Sequence, residues 1–265
     1  PISYWFKDKA SRLVIRHAVN RAKHIFVTSE FTKQDVHETL GVPLEKMTVT
    51  YLAPFGLIQN SKLNMPRRQT AEEAETQKLN LEKYGIIRPF VLYVGVAFPH
   101  KNLAGLLKAW KIFEKKYGHG YQLVLVGKKN YFYENLLNSA AMKQCNNVIY
   151  TDFISDDKLS DLYYAASLYV FPSLYEGFGL PPLEAMSQGV PVASSNRSCL
   201  PEVLGEAALY FDPENYEQMA DVMYVGLTNA LVRDELKQQA KEELKRYSWE
   251  KLGQETLNLY SQPLD

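Results

Sequence analysis

Two carboxylates around a glycine-rich turn form the densest chemical signal in this chain. The segment Phe171-Pro-Ser-Leu-Tyr-Glu-Gly-Phe-Gly-Leu-Pro-Pro-Leu-Glu-Ala-Met186 sets Glu176 at the start of the turn and Glu184 about one helical turn beyond it. An apolar run precedes the segment and helical text follows it. In a parallel sheet, ligands bind beyond the carboxyl ends of strands, where such a turn lies. Gly177 and Gly179 let the backbone approach a ligand closely. Pro181 and Pro182 fit a first helical turn, where a missing N–H costs nothing. The remaining free N–H groups and the positive helix end make an anion site. Carboxylates beside it do not bind the anion. They accept hydrogen bonds from hydroxyls, as a sugar or a ribose offers. The plain alternative is a Gly-Pro turn with two surface glutamates.

The elements that position this turn can be read from the hydrophobic pattern. From about residue 86, apolar runs alternate with helical spacing. Strands are expected near residues 90, 122, 148, 168, 191 and 208. Helices are expected over Asn102–Lys116, Tyr133–Met142, Asp156–Ala166 and Pro182–Gln188. The runs are continuously β-branched or aromatic rather than alternating, which marks strands buried on both faces. This predicts an α/β chain with a doubly wound parallel sheet, against the alternative of an α+β domain. Residues 1–60 read as a shorter piece of the same kind, with strands at His24–Val27 and Met47–Tyr51 and Ser29 and Thr32 as helix caps. Between the two lies a charged stretch, Asn60–Leu81, expected to be a surface insertion; its basic cluster Lys62, Arg67 and Arg68 reads as solvated, and Thr70–Tyr84 as partly helical. After Phe211 the text is helical over Tyr216–Thr228, Leu231–Arg246 and Ser248–Tyr260.

Composition narrows the function classes. The chain has 265 residues with 30 Lys+Arg against 30 Asp+Glu, and zero net charge argues against nucleic acid as the main partner. Cys145 and Cys199 are too few for a disulfide framework and read as free buried thiols in a reducing compartment. Together with the Tyr-rich stretches they are expected to serve packing. No apolar run approaches the roughly 18 residues of a membrane span, and no secretory signal stands at Pro1. A first residue other than Met suggests a processed product or a fragment.

The two glutamates separated by seven residues resemble the signature of the large retaining glycosyltransferase family 4, of GT-B fold. Tyr93-Val-Gly-Val-Ala-Phe-Pro-His-Lys-Asn102 resembles the first loop of that family's donor lobe, and Val126-Gly-Lys-Lys129 the second. Gly189-Val-Pro-Val-Ala193, Leu200-Pro-Glu-Val203 and Tyr247-Ser-Trp249 match lesser landmarks, and Val27-Thr-Ser-Glu-Phe-Thr32 resembles the end of the acceptor lobe. The resemblance implies a six-stranded sheet in the order 3-2-1-4-5-6 over 86–247, the nucleotide-sugar-binding domain. It implies that 1–60 is the end of an incomplete acceptor lobe, 61–85 a linker, and 248–265 a helix returning to that lobe. It further implies that Glu184 binds ribose hydroxyls, that Glu176 lies against the transferred sugar, and that Gly95, Gly177 and the main chain of Phe178, Gly179 and Leu180 line the donor. Lys101 and Lys128 resemble the cations that hold the diphosphate, so Glu176, Lys101 and Lys128 are the expected catalytic residues. No metal or other cofactor is implied. Consistent with that, the sequence has no Asp-x-Asp motif and its five histidines lack ligand spacing.

One departure from the family stands out. Many relatives carry Arg soon after the glycine matching Gly95, whereas Val96-Ala-Phe-Pro99 intervenes here before His100 and Lys101. The diphosphate grip is then expected to rest on Lys101 and Lys128, with His100 as a helper or simply a surface histidine at the helix start. Lys128 is favoured over a solvated reading because it follows a strand's carboxyl end. The leading expectation is a hexosyltransferase using GDP-mannose or a UDP-hexose, with a saccharide or lipid-linked acceptor, in surface polysaccharide assembly. A cytoplasmic location is implied, with peripheral association at the inner face of the membrane left open. The second expectation is a catalytically incomplete nucleotide-sugar-binding module. A third, minor one is another GT-B enzyme, such as an epimerase or a phosphorylase.

Overall fold

The computed structural model describes residues 2–54, 81–87 and 89–261, with residues 2–11 as backbone alone. The expected insertion therefore lies almost wholly outside the described residues. The first part of the chain runs α1 (Ile2–Arg21), β1 (Ile25–Val27), α2 (Glu30–Leu40) and β2 (Met47–Val49). β1 and β2 pair in parallel, with Ile25 opposite Met47 and Val27 opposite Val49. Both strands are shorter than expected: after Thr50 donates to the Val27 carbonyl (2.9 Å) the chain leaves the pair. Ser29 caps α2 by accepting the Thr32 N–H, and Gly41 closes it in the left-handed conformation, φ 72°. Val27, Val42 and Met47 form a small core of their own.

The second part holds a six-stranded parallel sheet. Its strands are β3 (Phe90–Val94), β4 (Gln122–Val126), β5 (Val148–Tyr150), β6 (Leu168–Phe171), β7 (Val192–Ser195) and β8 (Ala208–Phe211). Their order is β5-β4-β3-β6-β7-β8, the order expected from the resemblance. β4, β6 and β7 are buried along their whole length, which explains why their sequences do not alternate. β3 and β4 pair over five residues, Phe90 to Val94. β3 and β6 pair only at Val91–Leu168 and Leu92–Tyr169. The strand order reverses between these two, and beyond Leu92 they part, opening the crevice that such reversals create.

Helices cover both faces. α3 (Leu103–Tyr117) buries Leu106, Leu107, Trp110 and Phe113, with the Trp110 ring stacked on Phe113 at 4.8 Å. It packs on α9 (Tyr216–Thr228), where Tyr117 stacks on Tyr224 at 3.8 Å. The helix expected over 133–142 is two helices instead, α4 (Tyr131–Leu137) and α5 (Ala140–Lys143). The break has a local cause: Ser139 accepts the Met142 N–H and so starts a new helix. Next come α6 (Asp156–Ala165), α7 (Leu180–Ser187) and α8 (Leu200–Leu204). α7 begins two residues earlier than expected, with both prolines inside its first turn. α10 (Ala230–Glu243) leads through a tight turn at Leu244–Arg246 to α11 (Trp249–Tyr260). α11 returns to the first part, where Tyr260 lies 6.2 Å from Phe26 of β1.

The loops after β3 and β4 touch at two glycines. A Cβ on Gly127 would overlap the Gly95 carbonyl oxygen and lie 2.8 Å from the Tyr133 ring. Neither neighbour is a flexible side-chain end. Gly127→Ala should therefore cost at least about 1–3 kcal/mol in urea unfolding, as overpacking does. Gly120→Ala, with no atom within 4 Å of its Cβ, should change stability by less than about 0.5 kcal/mol.

Candidate functional site

The loop between β6 and α7 crosses the mouth of the crevice, and groups from three other parts of the chain hold its backbone. Leu174 N–H donates to the His100 carbonyl (2.7 Å), tying this loop to the one after β3. Glu176 N–H donates to Ser198 Oγ (3.0 Å). The Gly177 carbonyl meets the hydroxyls of Thr28 and Ser29, at 2.9 and 2.8 Å. Buried Cys199 places Sγ 3.2 Å from the carbonyls of both Glu176 and Phe178. Its one S–H is within reach of both. Burial pushes this thiol up to about 12, so it stays protonated as a donor. Phe178 is buried against Tyr51 and Tyr247, at 6.1 and 5.8 Å between ring centres. Gly179 precedes α7 at φ 100°, where a Cβ would also strike Leu200 at 2.9 Å. Only glycine fits there.

The two glutamates sit in different electrostatic settings. Glu176 Oε1 lies 2.6 Å from Lys101 Nζ, and the side chains are 11% and 17% exposed. The same ammonium stands 5.4 Å from the centre of the Phe171 ring. Glu184 forms no ion pair among the described residues. Its Oε2 accepts a hydrogen bond from the buried Tyr163 hydroxyl at 3.2 Å. Burial raises the Glu184 pKa above its ordinary 4.5, while the Tyr163 hydrogen bond pulls it back down. The sequence placed both carboxylates correctly near the turn, but it did not show that one is paired with Lys101 and the other with a phenol.

Tyrosine hydroxyls hold the neighbouring loops. Tyr133 donates to the Gly95 carbonyl (2.8 Å), Tyr93 to Val96 (3.0 Å) and Tyr150 to Gly127 (2.9 Å). These tyrosines do more than the expected packing. Gly95 itself has φ 151° and spends its N–H on the Val126 carbonyl. A tight turn at Pro99–Lys101 aims Lys101 at Glu176, while the exposed His100 enters through its backbone oxygen and by its ring 5.9 Å from Phe98. Lys128 lies apart. It lines a cleft of about 330 Å³ with Lys129, Asp152 and Phe153. Asp152 accepts the Lys129 N–H at 2.8 Å, which holds its carboxyl below the ordinary range. No ion pair or hydrogen bond among the described residues joins Lys128 to Glu176 or Lys101. Cys145 is half-buried rather than buried, with Sγ 3.2 Å from the Leu107 carbonyl.

Sequence reasoning misses Tyr163, the contacts of Thr28 and Tyr51 with this loop, and those of Glu202 with α2 and Tyr51. Leu200-Pro-Glu-Val203 resembles a family landmark, but no local pattern shows what a carboxylate touches 171 residues earlier in the chain.

Comparison with known proteins bears on this geometry. Residues 76–243 match the family described as glycosyl transferases group 1. The chain is 32% identical over 247 residues to O-antigen chain mannosyltransferase B of Escherichia coli, covering 93% of this chain and 62% of that protein. It is 28% identical to O-antigen chain mannosyltransferase RfbU of Salmonella typhimurium, covering 80% of this chain and 56% of the relative. The chain thus spans about six tenths of the length of these relatives. Among solved structures, sucrose-phosphate synthase from Thermosynechococcus elongatus matches with TM-score 0.75 at 23% identity, over 95% of this chain and 61% of that one. WaaG, a glycosyltransferase involved in lipopolysaccharide biosynthesis, matches with TM-score 0.69 at 18% identity, over 90% of this chain and 62% of that one.

The Tyr163–Glu184 pair yields a pH-dependent stability. The raised Glu184 pKa means the folded protein holds this proton more tightly than the unfolded chain. Ionising Glu184 therefore costs stability at neutral pH, and the cost disappears as pH falls through the unfolded value near 4.5. Tyr163→Phe removes the donor that eases this cost. It should destabilise by about 1–2 kcal/mol at pH 7, with the gap narrowing toward pH 4. Thermal melts of both proteins across that range check it.

Proposed function

This chain belongs to the glycosyl transferases group 1 family, and we propose that it forms the donor-binding part of a retaining hexosyltransferase of surface polysaccharide assembly. The observation that carries this reading is Lys101 against Glu176 at the mouth of a crevice floored by the start of α7. A nucleotide sugar has three parts, and each has a counterpart here. Ribose hydroxyls suit Glu184, an acceptor-only carboxylate when ionised. The diphosphate suits the free N–H groups of α7 and the Lys101 ammonium. The sugar's hydroxyls suit Glu176. When the bond from sugar to phosphate breaks, its electron pair leaves with the nucleoside diphosphate. Lys101 and the fixed α7 dipole stabilise that charge with little rearrangement. As Lys101 turns toward phosphate, it frees Glu176 to accept hydroxyls. Lys128 serves as a second cation only if the diphosphate reaches the cleft beyond β4. This division of labour needs no metal.

The names of the relatives favour a mannosyl donor, so GDP-mannose ranks before a UDP-hexose, with a saccharide or lipid-linked acceptor. No described helix is long and apolar enough to cross a membrane.

Calorimetry with GDP, UDP and ADP tests the reading. Binding should survive EDTA, and strict dependence on Mg²⁺ or Mn²⁺ would overturn the metal-free assignment. Glu184→Ala should lose about 1–3 kcal/mol of nucleotide affinity. Lys101→Ala should weaken GDP far more than guanosine, because a cation contributes where the anion sits. A nucleotide-sugar-binding module without transfer is the second reading, favoured by the 62% span of a mannosyltransferase relative. Incubating these 265 residues with labelled nucleotide hexoses and lipid-linked or saccharide acceptors should give little transfer above water attack. Robust multiple turnover would instead show a complete acceptor site.

A further inference from the structure

The start of α2 is held by a side chain from the other half of the protein. A helix leaves its first N–H groups without intrahelical partners. In α2, Ser29 Oγ accepts the Thr32 N–H at 3.0 Å. The two N–H groups before it, on Glu30 and Phe31, donate to Glu202 Oε1 (2.7 Å) and Oε2 (2.9 Å). Glu202 lies on α8, and its Oε1 also accepts the Tyr51 hydroxyl at 3.0 Å. A carboxylate at this end of a helix gains from the helix dipole as well as from the hydrogen bonds. Arg246 backs the arrangement: Nη1 donates to the Glu202 carbonyl at 3.2 Å, its guanidinium stands 5.6 Å from the Tyr51 ring, and it pairs with Glu243.

This cap sits directly on the loop that carries Glu176. Thr28, Ser29 and Thr32 place hydroxyls at 2.9, 2.8 and 3.0 Å from the Gly177 carbonyl. A carbonyl oxygen has two lone pairs, and Ser29 Oγ lies 2.9 Å from Thr32 Oγ1. Thr28 and Thr32 donating to Gly177, with Ser29 donating to Thr32, satisfies every group. Tyr175 on the other side of Glu176 donates to Asp35 of α2 at 2.7 Å and packs on Phe31 at 5.6 Å. Tyr175, Gly177 and Phe178 thus face the first part of the chain, while the Glu176 side chain turns the opposite way to Lys101.

We propose that Glu202 is a positioning residue: by capping α2 from across the molecule it clamps the first part of the chain onto the 175–178 loop and fixes the direction in which Glu176 meets the donor sugar. The inference rests on the donor-binding reading above. Its signature is a split between sugar and nucleotide. Glu202 does not touch Lys101, Glu184 or the start of α7, so loss of the clamp should spare the nucleoside diphosphate and weaken the hexose contribution.

Calorimetry on wild type and Glu202→Gln, with GDP and GDP-mannose as probes, reads this split. The Gln side chain keeps the size but offers one acceptor oxygen where three donors now converge. GDP affinity should stay within about twofold, while GDP-mannose affinity falls roughly tenfold. Thr28→Val removes one hydroxyl from Gly177 without touching the cap and should act in the same direction. Thr28→Ser should restore the wild-type ratio, and this pair decides the matter if Glu202→Gln does not fold. Equal loss for both ligands, or no loss for either, overturns the positioning role while leaving the donor site intact. Failure of the wild type to bind any nucleotide or nucleotide sugar overturns the donor-binding reading and the proposal with it.

Discussion

Where the sheet reverses its strand order, the chain leaves β3 and β6 toward opposite sides, and the backbone carbonyls beyond them lose their ladder partners. A buried carbonyl left alone is costly. Satisfying these groups while keeping the crevice open is the constraint on which the site depends. Here the partners are side chains rather than the backbone of a neighbouring strand. Tyr133, Tyr93 and Tyr150 serve the loops after β3 and β4, and Tyr169 donates to the last carbonyl of β3 at 3.3 Å. Cys199, Thr28 and Thr32 serve the loop after β6. The tyrosine richness of the chain follows in part from this demand. A phenol can be buried as an apolar ring and still carry one donor at its tip.

These hydrogen bonds fix parts of the loops before any ligand arrives, which leaves less entropy to lose on binding. The two carboxylates differ in their electrostatics. Glu176 and Lys101 are each other's partners at low exposure, where a charge pair interacts more strongly than in water. Under the proposed function, a donor diphosphate would compete with Glu176 for that cation. Glu184 is tuned differently, because a neutral hydroxyl leaves its charge available to other donors. Two glutamates with seven residues between them thus have separate chemical characters, set by one neighbour each.

Among the described residues, the core of the first part of the chain is small. Val27, Val42 and Met47 are its buried centre, against a cluster in the second part that runs from Ala53 to Tyr247. The two are joined by directional contacts: a helix cap, a carbonyl ringed by hydroxyls, and the Tyr51–Phe178–Tyr247 group of rings. Polar joints of this kind fix geometry more than they add stability. Such a joint suits a site in which the position of one side chain matters more than the strength of the contact.

The sequence by itself determined the sheet and the place of the turn. Continuous apolar runs mark strands buried on both faces, and β3 through β8 lie where those runs lie. Their spatial order came from the family resemblance, and the structure repeats it. Glycines and prolines mark the turn because backbone conformation is a local property, and Gly179 at φ 100° bears that out. The boundaries that shifted, at Ser139 and Leu180, are also local in cause but depend on which of several capping residues is used. Only the tertiary structure decided the partners of the charged and polar groups. Lys101 and Glu176 are 75 residues apart, and Glu30 and Glu202 are 172 apart. Hydrogen bonds and ion pairs act over a few ångströms in space and leave no period in the sequence. Which carboxylate meets a lysine, which a phenol and which a helix is settled when the chain closes on itself.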